Sequence, residues 1–152
     1  MGAAYFYHLT RSPVEATLPM LLTKSLENGW RVAVRAATPD RLRWLDDHLW
    51  TADPDSFLPH GVAGGPHDAQ QPILLTTTTT LPNAAACLMS IDSAPVTAAE
   101  VQTLERVCIL FDGNDPAALA TARSQWKSLT EAGCSAQYWS EESGRWQKKA
   151  ER

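Results

Sequence analysis

Residues 49–61, LWTADPDSFLPHG, gather the side chains that chemistry needs into one short run. His60 is a candidate general base, with Asp53 or Asp55 as its partner. On that reading the chain is a small α/β hydrolase-type enzyme. The same run offers Trp50, Phe57 and Leu58 as apolar anchors for another protein, braced by Pro54 and Pro59. Proline stiffening lowers the entropy cost of presenting such anchors. No third group orients the histidine, and Pro59-His60-Gly61 also reads as a simple bend. The residues alone leave catalysis, docking and core-plugging open.

A second constellation lies in the segment DPAALATARSQWKSLTEAG, residues 115–133. Arg123 and Lys127 are four apart, so a helix sets them on one face, and Trp126 borders that face. A guanidinium forks onto a carboxylate, an ammonium adds charge, and an indole supplies apolar contact. Such a site suits an acidic peptide with an aromatic residue or a free carboxylate. The competing reading is a solvated face with Trp126 tucked into the core.

Other chemistry is missing. The turn after the first predicted strand, Thr10-Arg11-Ser12-Pro13, has no glycine, and neither GxGxxG nor GxxxxGK[ST] occurs. The glycines at 61, 64 and 65 follow a helix-loop segment and carry no lysine. His8 lies within an aromatic strand, and His48 sits near a helix end where a cation is welcome. Asp46 and Asp47 are adjacent, so on a helix they diverge by about 100° and make a poor acid pair. Cys87, Cys108 and Cys134 are far apart with no CxxC spacing, which reads as reduced thiols of a cytosolic protein without zinc. No cofactor is expected.

These side chains need a scaffold, and 152 residues suit a single domain spanning 1–152. A net charge of −4 argues against the alternative of a direct single-stranded nucleic-acid binder, which asks for a basic surface. The start, MGAAYFYHLTR, does not read as a signal peptide, and no apolar run is long enough for a membrane span. Six tryptophans are more than a core of this size readily absorbs, so some are expected at interfaces.

Strands are predicted at 5–9, 31–36, 73–75, 87–91, 107–111 and 136–139, with 146–149 a strand or a tail. Helices are predicted after Ser12-Pro13 and after Thr38-Pro39, each cap followed by a proline, and from Pro116 onward with Asn114 or Asp115 as the cap. Pro19 is expected to kink the first helix, and 97–105 reads as a short helical connector. Residues 61–71 read as a flexible link, and TTTTT at 76–80 as a polar run without an assigned purpose. Strands alternating with helices give an α/β sandwich around a mostly parallel sheet.

FYHLTRSP, GWRVAVRA, LDDHLWTADPDSFLPHG, FDGNDPAALATARSQWKSLTEAG and YWSEESGRWQKK occur in this order along nearly the whole chain. In this the sequence resembles the chi subunits of bacterial DNA polymerase III. The resemblance implies a Rossmann-like three-layer α/β fold with no nucleotide-binding loop and no catalysis of its own. It implies two partners, the psi subunit of the clamp loader and the acidic C-terminal tail of single-stranded DNA-binding protein, with a repair helicase as a further candidate. It therefore implies a cytoplasmic, replisome-associated adaptor. By the same resemblance Arg123, Trp126 and Lys127 take the tail, while Trp50, Phe57 and Leu58 contact psi or the helicase.

Overall fold

The computed structural model describes residues 2–51, 58–141 and 145–152. Its strands are β1 (Ala3–Leu9), β2 (Val32–Arg35), β3 (Gly61–Val62), β4 (Ile73–Thr76), β5 (Cys87–Ser90), β6 (Arg106–Asp112), β7 (Ser135–Ser140) and β8 (Gln147–Glu151). The helices are α1 (Val14–Glu27), α2 (Pro39–Thr51), α3 (Ala98–Thr103) and α4 (Pro116–Glu131). One eight-stranded sheet runs in the order β3-β4-β2-β5-β6-β1-β7-β8. Every pairing is parallel except β7 with β8. The expected three-layer, mostly parallel α/β architecture is what forms.

Alternation along the strands divides the core in two. Tyr5, Tyr7, Val32, Val34, Ile73, Leu75, Cys108 and Leu110 face Leu18, Leu22, Leu42, Leu45 and Leu49 of α1 and α2. Ala4, Phe6, Ala33, Leu88, Val107 and Ile109 face Val101 of α3 and Ala122 and Leu129 of α4. Both faces are covered, so the central strands read as unbroken apolar runs. The three cysteines are buried free thiols.

Two expectations are corrected. Ser12 does not cap α1; Pro13 holds the cap position without a side-chain bond, and Ser12 turns to Glu141 instead. The 61–71 link contains the edge strand β3 and a 3-10 turn (Asp68–Gln70), with the Asp68 carboxylate accepting from the Gly64 and Gly65 amides. Pro19 stays inside α1 and the helix continues past it. Proline lacks the N–H that would bond the Glu15 carbonyl. His48 Nε2 of α2 donates to that carbonyl at 3.1 Å. A carbonyl only accepts, so this ring carries its proton on Nε2. A local defect in α1 thus becomes a link between two helices.

The threonine run also finds a purpose. Arg35, 2% exposed at the end of β2, donates Nε to the Thr78 carbonyl at 3.0 Å. Its Nη1 reaches the Pro95 carbonyl at 2.9 Å. Two further bonds, at 3.0 and 2.6 Å, go to the Glu100 carboxylate. Glu100 also closes the capping box of α3 with Thr97. Burial alone would raise the Glu100 carboxyl pKa, but bonds from Arg35 and Thr97 pull it below the usual glutamate value.

Removing one partner of such a pair strands the other charge, at about 3–5 kcal/mol. Glu100→Ala is therefore expected to lose that much stability in urea unfolding at neutral pH. A carboxyl depressed in the folded state contributes fully above its unfolded pKa, and the contribution fades as pH falls through the folded one. The gap between wild type and Glu100→Ala should accordingly close in acid. A gap that is constant with pH would contradict this role.

Candidate partner-binding surface

Helix α4 starts at the Asp115 cap, whose carboxylate accepts from the Ala117 amide at 3.0 Å. It ends where Gly133 takes φ +88°, a left-handed conformation that glycine adopts without strain. Ala122 and Leu129 face the sheet. That phase turns Arg123 and Lys127 outward, and both are exposed. Four residues apart, their Cβ atoms lie about 6 Å from each other. Among the described residues neither cation has an ion-pair partner.

Trp126 is half-buried between them and the sheet. Its ring meets Phe6 edge-on at 5.3 Å and Tyr138 at 5.9 Å. Tyr138 in turn shares a hydrogen bond with His8 Nδ1 at 2.6 Å. His8 also lies against Phe111, with ring centroids 5.1 Å apart. A Cβ at Gly113 would come within 1.9 Å of the His8 ring, so glycine is required there by close approach. Trp126 is thus both a packing residue and the apolar floor beside two open cations. The tucked-in and surface readings of this residue are each partly met.

The other predicted surface divides. Trp50 lies in the last turn of α2, is 49% exposed, and sits 4.3 Å from the His60 ring. Leu58 is 5% exposed and belongs to the core under α1 and α2, so it plugs the core and offers no anchor in this conformation. Phe57 lies outside the described residues, as do Asp53 and Asp55. His60 is buried, with Nδ1 2.6 Å from the Leu58 carbonyl and Nε2 3.0 Å from the Asp46 carboxylate. Both ring nitrogens lie against protein oxygens. That arrangement ties residues 58–60 to α2 and keeps the ring out of solvent.

Sequence reasoning missed Trp44, which is 41% exposed on α2. The Arg41 guanidinium sits 4.5 Å over its ring, and the His48 ring stacks on it at 5.0 Å. The signal was present: Leu42, Leu45 and Leu49 fix the buried stripe, and Trp44 and Trp50 each fall one residue off it. None of the six tryptophans is fully buried.

The chain is thus an open-sheet α/β protein with a glycine-free turn after its first strand and exposed aromatic and basic groups on its helices. Residues 1–137 match the family model of the DNA polymerase III chi subunit, HolC, and the chain belongs to this family. The family gives it a chi-like role as an accessory subunit of the replisome. No curated protein matches the chain at a significant level. Among the described residues no helix is long and apolar enough to cross a membrane.

Surface and packing roles separate in stability measurements. Arg123→Ala and Lys127→Ala should each change unfolding free energy by less than about 0.5 kcal/mol. Trp126→Ala should cost about 3 kcal/mol, the low end for a packed indole. A large loss in either cation variant would mean that the side chain supports the fold.

Proposed function

We propose that the protein is a non-catalytic adaptor of the DNA polymerase III holoenzyme. It joins the clamp loader, through a psi-like subunit, to the acidic C-terminal tail of single-stranded DNA-binding protein, and works in the cytoplasm as one domain. The observation that carries this is the pair Arg123 and Lys127, exposed and without an ion-pair partner among the described residues, one turn apart beside Trp126. An acidic tail ending in an aromatic residue and a carboxylate finds there two charge-assisted donors and an apolar floor. The exposed indole of Trp50 supports a second contact, to psi or a repair helicase, on a different face. Phe57 is proposed to join it, while Leu58 is buried in the core.

Fluorescence anisotropy with a labelled acidic peptide ending in Asp-Phe tests the first contact. Arg123→Ala and Lys127→Ala should each weaken binding about tenfold, the worth of one charge-assisted hydrogen bond. Rising salt should weaken wild-type binding and shrink the difference. Unchanged affinity in both variants would sink the site. Trp50→Ala should leave peptide binding intact and reduce recovery of the psi-like subunit in co-purification; equal recovery would remove Trp50 from that contact.

A further inference from the structure

The turn after β1 is where open-sheet α/β proteins cradle a phosphate on backbone amides. Here the amides of Thr10, Arg11 and Ser12 converge on one oxygen, Oε1 of Glu141, at 3.2, 3.0 and 2.7 Å. Ser12 Oγ donates to Oε2 at 3.0 Å. Three successive N–H groups aimed at one point form an anion-binding nest. The anion in it is a side chain of the same chain, only 5% exposed.

Sheet topology brings the carboxylate there. β7 lies beside β1 with Ser140 opposite His8, so the next residue emerges next to the β1 turn. Burial by itself would raise the carboxyl pKa; the Ser12, Arg11 and Thr10 donors outweigh it and hold the group below the usual glutamate value. The neighbouring cleft, about 680 Å³, is lined by Asp92, Asp112 and Asp115 as well as Arg11 and Arg41. Its acidic side disfavours a second anion.

We infer that Glu141 is the resident anion of a preformed oxyanion site, and that its carboxylate closes this site to phosphate-bearing ligands from within. The same four bonds latch the residue after β7 onto the turn between β1 and α1. The absence of glycine in Thr10-Arg11-Ser12-Pro13 therefore does not prevent an amide nest from forming. What keeps a phosphate out is occupancy. Deleting the carboxylate leaves the nest empty, with a shape and polarity that suit a small oxyanion.

Thermal melting of the full chain in inorganic phosphate, against chloride at matched ionic strength, tests this. Glu141→Ala should melt lower than wild type. Phosphate should raise its Tm above the chloride value by about 3 °C or more, saturating as a binding curve. Wild type should gain nothing over chloride. Equal responses to the two salts in Glu141→Ala, or an equal phosphate gain in wild type, would overturn the inference. Should Glu141→Ala fail to fold, Glu141→Gln keeps the shape and removes the charge. The amide protons of Thr10, Arg11 and Ser12 should then move upfield from their wild-type NMR positions. Unmoved resonances would overturn it.

Discussion

A buried guanidinium sets the terms for the middle of this fold. Arg35 ends a central strand with its side chain out of solvent, and an unpaired charge there is not tolerated. Three segments distant in sequence must therefore arrive at fixed distances: the Thr78 carbonyl, the Pro95 carbonyl and the Glu100 carboxylate. The threonine run, the β5–α3 connection and α3 itself are each tied to that one side chain. The hydroxyls of Thr76, Thr78 and Thr80 continue the order outward, linked at 3.1 and 3.0 Å. A stretch that looks like low complexity is a hydrogen-bonded shelf beside an ion pair.

Elsewhere the same logic recurs with smaller stakes. Pro19 frees a carbonyl and His48 takes it. Backbone amides after β1 need an acceptor and Glu141 supplies it. His60 sets its two ring nitrogens against the Leu58 carbonyl and Asp46 and so ties residues 58–60 to α2. Each is a polar group satisfied from another part of the chain, and these bonds fix the connections of a sheet covered on both faces.

The tryptophans show the opposite tendency. All six are half-buried or exposed, with the Trp146 ring meeting Tyr7 edge-on at 5.4 Å. Large rings placed this way cover core edges and still present apolar area to a partner. Beside the cleft at the end of β1, the Thr10, Arg11 and Ser12 amides and the Ser12 hydroxyl converge on Glu141.

By itself the sequence determined the layer order and most elements, because buried parallel strands and cap-proline helix starts leave strong local patterns. It also determined which face of α4 carries Arg123 and Lys127, since helical phase is a local property. Only the tertiary structure decided which polar groups meet. Ser12 looked like a cap, yet a carboxylate more than a hundred residues away claimed it. Leu58 looked like an anchor, yet the core absorbed it, while Trp44 fell outside the buried stripe and became surface. Such outcomes depend on strand order, which brings β7 beside β1 and β2 beside β5. Long-range satisfaction of buried hydrogen bonds has no periodic trace in the chain.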